Sequence, residues 1–397
     1  MIAFLIRALG RPLLRLRYRI HREGGDPPPV QGGKGILFLA SHPTLLDPFL
    51  LSSELHRRFA PTLVAGRDHA APAPLRWLAR LLGARALPDP VTHGKRCREA
   101  LDHELTALAG CLGSGQNLLL FPGGRLARQK TEDLSDNSVV ASILRQAPDT
   151  RVVLVRLQGL WGSRFSAASG RRPALGIELL KSLGYLFANG LFFMPRREVR
   201  LILEEVFGLP VEEGRAALNQ ALETRLNREA TPRTFVPYLV WKDHAPRTLP
   251  EPPKARVEGN PRNVPPTVRD AVRRHLQLET GHADVQEGHS LVRDLGMDAL
   301  AHRELELWIQ QAYGYACSDP ASLQSVSDVM LAATGAAVSL RQGELKAVPH
   351  AWFHSRTDLP IEMPAGDTIP EVFLKQAKRD PRRVVLADQT GGVKTYR

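Results

Sequence analysis

His42 and Asp47 stand five positions apart in ASHPTLLDPFLL, residues 40–51. A neutral imidazole can act as a general base near neutral pH. A carboxylate on its other ring nitrogen would fix the tautomer and stabilise the imidazolium. The competing reading is a histidine and an aspartate satisfied inside a core. The spacing is cheap: with 13 histidines in the chain, it recurs as His21/Asp26 and His289/Asp294. Context separates the three. His21 and Asp26 flank a polar REGG loop, and His289 opens the amphipathic stretch SLVRDLG. Only His42 follows an apolar run that reads as a buried strand, GILFLA at 35–40, and precedes a proline where a helix can begin.

A second apolar run closes on polar chemistry in NLLLFPGGRLAR, residues 117–128. Gly123 and Gly124 would let the backbone approach a ligand closely. Arg125 and Arg128 could grip a phosphate through their planar forks. In isolation the stretch reads better as a plain strand and turn with surface arginines.

The elements that must position these groups alternate. Strands are expected at 35–40, 62–65, 117–121, 151–157 and 199–203, with helices at 75–82 and 94–112. Such alternation implies an α/β layer over roughly 30–245. PEPPKARVEGNPRNVPP, 250–266, reads as a linker. Residues 266–335 then change character. Five arginines face ten acids, a net −5, which leaves +17 on the rest of the chain. A small acidic helical unit is therefore expected beside a basic body. A second linker runs over about 338–364. The final stretch reads as a helix and a hairpin without further strands to pair with, like the beginning of another domain.

A chain of 397 residues predicts two or three domains, and a hydrophobic content of 43% can build cores for them. The net charge of +12 favours phosphate-bearing partners: nucleic acid, anionic lipid or a phosphorylated substrate. Nucleic acid is set aside, because the basic residues are spread out and no binding motif or aromatic platform accompanies them. Cys97, Cys111 and Cys317 have no paired spacing, so neither a disulfide framework nor a zinc site is suggested. The basic and apolar N-terminus, MIAFLIRALGRPLLRLRYRIHRE, lacks a signal-peptide pattern and reads as an interfacial amphipathic helix. Its alternative is an ordinary first helix with arginines facing water. LGYLFANGLFFMP, 183–195, is too short to span a bilayer and reads as a core element or a shallow membrane-dipping segment.

SHPTLLD and FPGGR, in that order and at that separation, resemble the paired motifs HxxxxD and FPEG(T)R of the glycerophospholipid acyltransferase family. With Arg directly after the glycine, and with LVRLQGLWGSRFS at 154–166, the chain is most similar to the acyltransferase part of bifunctional lysophospholipid acyltransferase–acyl-carrier-protein synthetases. The resemblance covers about 10–245. It implies a mixed sheet flanked by helices, and transfer of an acyl group from acyl-CoA or an acyl carrier protein to the hydroxyl of a lysophospholipid or lysophosphatidate. It further implies His42 as base, Asp47 as its partner, and an acceptor-phosphate site at Arg125, Gly123 and Gly124, helped by Arg128 or Arg67. No metal is implied. Two departures bear on this. The family's Glu in FPEG is Gly123 here, which puts acceptor geometry in question, and the third block GxxFIxR is poorly matched by GARALPD, where Arg85 or Arg67 would have to compensate.

DLGMDALAHREL, 294–305, is similar to the acyl-carrier-protein pattern DLGxDSLxxxEL. The serine that would carry phosphopantetheine is Ala299, so no arm and no resident cofactor are expected. The unit then reads as a docking piece or spacer whose acidic face contacts the basic body or mimics a carrier protein at its docking site. The tail resembles the start of adenylate-forming acyl-activating enzymes. The expected organisation is a membrane-interface helix at 1–24, the acyltransferase domain at 25–248, a linker at 249–265, a small all-α carrier-like bundle at 266–337, a linker at 338–364, and the adenylate-forming start at 365–397. The expected setting is the cytoplasmic face of a membrane with an anionic surface. The alternative is a catalytically impaired scaffold for an acyl-activating partner enzyme.

Overall fold

The structure is a computed structural model. It describes residues 12–25, 33–66, 83–88, 96–170, 173–241, 245–252, 259–315, 322–336, 365–379, 384–387 and 393–395, together with 257, 317 and 381. The helix expected at 75–82 lies outside these residues, as do the linker at 338–364 and residues 1–11.

ILFLA forms strand β2 (Ile36–Ala40), buried along its whole length. A strand with no polar face belongs in the middle of a sheet covered on both sides. That is where it lies. Seven strands run β1 (Tyr18–Glu23), β7 (Arg197–Val206), β6 (Arg151–Gln158), β2, β5 (Leu118–Leu120), β3 (Thr62–Gly66), β4 (Arg85–Leu87). The pair β6–β7 is antiparallel and the other neighbours are parallel. One apolar layer sits under α1 (Asp47–Phe59), through Leu50, Leu51 and Leu55. The other sits under α2 (Cys97–Gly113), α3 (Val139–Gln146) and α5 (Arg215–Leu226). The expected mixed sheet flanked by helices is the architecture observed.

The N-terminal segment differs from its reading as one helix over 1–24. Residues 12–17 are helical, but Tyr18–Glu23 is a strand, parallel to β7. Arg17 does not face water or headgroups. It is 7% exposed and its guanidinium donates to the carbonyls of Pro195, Val236 (3.0 Å) and Pro237 (2.9 Å). Arg197 is still more buried, and donates to the carbonyls of Gly159, Trp161 (2.7 Å) and Thr234 (2.9 Å). Burial pushes its pKa down to about 10. Each guanidinium ties loops at one sheet edge through their carbonyls.

α4 (Leu175–Ala188) and the turn after it leave much apolar surface uncovered, with Leu180, Phe187, Phe192 and Phe193 each at least 66% exposed. No helix of the described residues is long and apolar enough to cross a membrane.

The acidic unit has its own core beneath α6 (Pro266–Thr280), α7 (Ala299–Tyr313) and α8 (Val326–Ala333). It docks on the sheet domain through the start of α7. The Ala299 N–H donates to the Asp136 carbonyl (2.9 Å), and Leu300 joins the core under α2 and α3. Arg98 pairs with Asp298 (3.5 Å), and Arg215 donates to the Gly296 carbonyl (3.0 Å). The preceding linker is fastened at its beginning, where Glu251 accepts from the Trp161 indole (2.8 Å) and the Arg233 N–H (2.9 Å). In the tail, α9 (Ile369–Arg379) precedes an antiparallel pair, β8 (Val384–Ala387) and β9 (Val393–Thr395).

Candidate active site

Parallel pairing brings together two loops that are far apart in sequence. In the register of β2 with β5, Leu39 lies opposite Leu120. His42 is three residues past the first and Gly123 three past the second, so both emerge at the carboxyl edge of the sheet. That edge is where open α/β sheets hold ligands. The loops are also stitched directly, because the Ala127 N–H donates to the His42 carbonyl (2.9 Å).

Leaving β2, the chain makes a tight turn. The Asp47 N–H donates to the Thr44 carbonyl (3.2 Å), and α1 starts at Asp47 with a proline behind it. This places the Asp47 carboxylate in the helix's first turn, where the helix dipole favours a negative charge. Asp47 is fully buried. Its Oδ2 accepts from the Thr44 N–H (2.6 Å) and faces His42 Nδ1 (3.1 Å), and its Oδ1 accepts from the Thr44 hydroxyl. Burial pushes the Asp47 pKa up, while His42 and Thr44 pull it back. The His42 side chain is 14% exposed, and its ring lies 4.5 Å from that of Phe121, centroid to centroid. With Nδ1 engaged, Nε2 is the nitrogen left to take a proton.

Of the two rival HxxxxD spacings, only His289/Asp294 lies wholly within the described residues, and there the two side chains bond elsewhere. His21 bonds Glu198 (2.6 Å), and Asp26 lies outside the described residues. Asp294 accepts from the Ser290 N–H, while His289 Nδ1 accepts from the Gln286 N–H.

The Phe121–Gly124 turn closes with the Gly124 N–H on the Phe121 carbonyl (2.9 Å). Gly124 has φ +62°, the left-handed region that glycine enters at little cost. Arg125 follows, 43% exposed and 3.4 Å from the buried Asp136 carboxylate. Arg128 is half-buried on the same segment. Arg67 lies outside the described residues. Arg85 is held by Glu104 on edge strand β4, so it is already committed to an ion pair. Position 299 holds alanine, and its amide is spent on the Asp136 carbonyl.

Glu132 is the site residue that the motifs did not disclose. It is 7% exposed, and its Oε1 accepts the His42 backbone N–H (2.5 Å). Burial pushes its pKa up to about 7, against the pull of that hydrogen bond. Its Oε2 lies 2.9 Å from where a Cβ on residue 123 would sit. The space left by the glycine is therefore filled by a carboxylate from elsewhere. The only sequence signal is an acid in TEDLSD, after the arginine-bearing turn.

The arrangement can take a proton from a nucleophile at His42 Nε2, stabilise the resulting imidazolium at Asp47, and offer a guanidinium nearby. Residues 20–165 match the family model described as Acyltransferase. The matched stretch contains His42, Asp47, Glu132 and the Gly123–Arg125 turn. No curated protein sequence matches the chain. Among solved structures, similarity is found to the 1-acyl-sn-glycerophosphate (LPA) acyltransferase PlsC from Thermotoga maritima. That match has 17% identity and a TM-score of 0.37, and covers 57% of this chain and 78% of that one.

Proposed function

We propose that the chain transfers an acyl group from an acyl thioester to the free hydroxyl of a lysophospholipid or lysophosphatidate. The observation that carries this reading is the buried Asp47–His42 pair beside a solvent-facing Arg125, inside the segment that matches the Acyltransferase model. His42 Nε2 removes the hydroxyl proton as the oxygen attacks the thioester carbonyl. Asp47 steadies the imidazolium. Collapse of the tetrahedral intermediate breaks the C–S bond, and the imidazolium returns its proton to the departing thiolate. No resident cofactor is needed.

Arg125 grips the acceptor phosphate, with Asp136 orienting its guanidinium and Arg128 on the same segment as a further cation. The donor is acyl-CoA or an acyl carrier protein. Exposed Phe187, Phe192 and Phe193, on a chain of net charge +12, support seating on an anionic membrane, at its cytoplasmic face. The acidic unit is read as an armless carrier-like docking piece.

The test is incubation of the vesicle-bound protein with each donor type and a panel of lysophospholipids, read by mass spectrometry. A new diacyl product is expected. Arg125→Met should raise KM for a phosphate-bearing acceptor about ten- to a hundredfold, the weight of a charge-assisted hydrogen bond, and leave a phosphate-free acceptor unaffected. No product from any acceptor with either donor would overturn the reading in favour of a scaffold for an acyl-activating partner.

A further inference from the structure

The His42 backbone is held from both sides. Its carbonyl is taken by the Ala127 N–H and its N–H by the Glu132 carboxylate. Residue 132 is itself held through its main chain, by the Asn227 side chain. The Glu132 N–H donates to Asn227 Oδ1 (2.7 Å), and the Glu132 carbonyl accepts from Asn227 Nδ2 (2.9 Å). Asn227 caps the end of α5, so the hold on His42 is braced against a helix packed on the far side of the sheet.

Gly123 explains why the carboxylate arrives this way. Gly123 is absent from the positive-φ glycines, so its backbone accepts any residue. A side chain there would displace the carboxylate, because a Cβ would meet Glu132 Oε2 at 2.9 Å. From ordinary bond lengths, a glutamate at 123 would carry its own carboxylate roughly 3 Å beyond its Cβ. It would thus reach the place that the Glu132 carboxylate now fills.

We propose that Glu132 is a positioning residue for the acyl transfer: its carboxylate fixes the His42 backbone, and position 123 is glycine because that carboxylate occupies the side-chain space there. The proposal rests on His42 being the base, and its consequence is interchangeability. One accepting side-chain oxygen is required at this point, and a glutamate can deliver it from residue 132 or from residue 123, but not from both.

The experiment compares four proteins: wild type, Glu132→Ala, Gly123→Glu and the double variant Gly123→Glu/Glu132→Ala. Each is assayed with a lysophosphatidate and acyl-CoA on vesicles. Removing a charged hydrogen-bond acceptor should lower kcat about ten- to a hundredfold in Glu132→Ala, with the acceptor KM within about twofold. Gly123→Glu alone should also lose activity, because two carboxylates compete for one space. The double variant should recover to within about threefold of wild type, and Glu132→Gln, whose amide oxygen still accepts, should retain most of kcat. A double variant no faster than Glu132→Ala, or a Glu132→Ala at the wild-type rate, would overturn the proposal.

A second readout needs no turnover. In histidine-labelled protein, the His42 amide proton should lie far downfield, move upfield in Glu132→Ala, and return in the double variant. An unmoved resonance in Glu132→Ala would overturn the proposal even in folded protein of unchanged melting temperature. An inactive wild type with the expected amide shifts would instead count against the acyltransferase reading alone.

Discussion

Asp47→Asn should lower kcat by roughly 10³–10⁴-fold with little change in acceptor KM. The substitution keeps shape and volume in a site with no exposed surface. It changes the hydrogen-bond sense. Asp47 is acceptor-only and receives three donors, the Thr44 N–H, the Thr44 hydroxyl and the His42 ring. An asparagine carries one accepting oxygen and one donating NH₂. With its oxygen in the Oδ2 place it keeps both the Thr44 N–H and His42 Nδ1, and its NH₂ turns to the Thr44 hydroxyl. The tautomer survives, so Nε2 is still bare to take the proton of the attacking hydroxyl, but the buried negative charge that stabilises the imidazolium is gone. Because the pair acts as a unit, His42→Ala should cost about as much, and the double substitution scarcely more than either. Steady-state kinetics on the three variants decides the matter. An Asp47→Asn protein within tenfold of wild type would mean that this buried aspartate merely starts α1.

Raising the pH should weaken the fold through Glu132, and Glu132→Gln should remove that weakness. Burial, the leading cause, raises the carboxyl from its ordinary 4.5 to about 7 in the folded chain. Between those values the folded protein keeps a proton that the unfolded chain has released. Stability from this group is therefore complete below about pH 4.5 and lost as pH rises through about 7. The gap corresponds to roughly 3 kcal/mol. His42, Asp47 and Asp133 face the group and are included in that balance, and Lys130 and Arg156 line the same cleft. The buried Asp47 carboxyl is raised too and acts with the same sign, so the informative quantity is the difference between wild type and Glu132→Gln. Chemical denaturation at pH 4.5, 6 and 7.5 should show wild type losing about 3 kcal/mol relative to the variant across that window. A difference constant to about 1 kcal/mol would place the Glu132 pKa near its ordinary value and assign the buried site an ionised carboxylate throughout.

The two predictions concern groups of very different legibility. His42 could be read because five apolar residues in a row mark a buried strand wherever they occur. The proline after it, at 43, suggests a helix start, but the helix opens four residues further on, at Asp47. β2, β5 and β6 are legible for the same reason. Gly123 could be noticed, but its meaning could not: read as the loss of a side chain, it proves to be room made for another one. Glu132 carried no sign of its role, since an acid in a polar loop looks like any solvated acid until the fold lays it under the His42 amide.

The N-terminal segment misled for a related cause. LRLRYRIHRE sets apolar and basic residues in alternation, which suits an interfacial helix by composition and a strand by period. The choice falls to β7, which offers Tyr18–Glu23 a full parallel ladder from nearly the other end of the domain. Arg17 and the β7 residue Arg197 are buried by the same closure, against the ordinary expectation for arginine.

The sequence by itself thus determined the elements whose apolar pattern is local: the central strands, a helix soon after His42, the glycine turn before Arg125 and the division into a basic body and an acidic helical unit. Tertiary structure alone decided the juxtapositions. Parallel pairing set His42 level with Gly123, packing of the loop against α5 delivered Glu132, and docking spent the Ala299 amide on Asp136. The physical reason is that strand and helix formation answer to the period of neighbouring residues. The partner of a buried polar group is whichever group the closed chain brings within hydrogen-bond reach, and no local period records it.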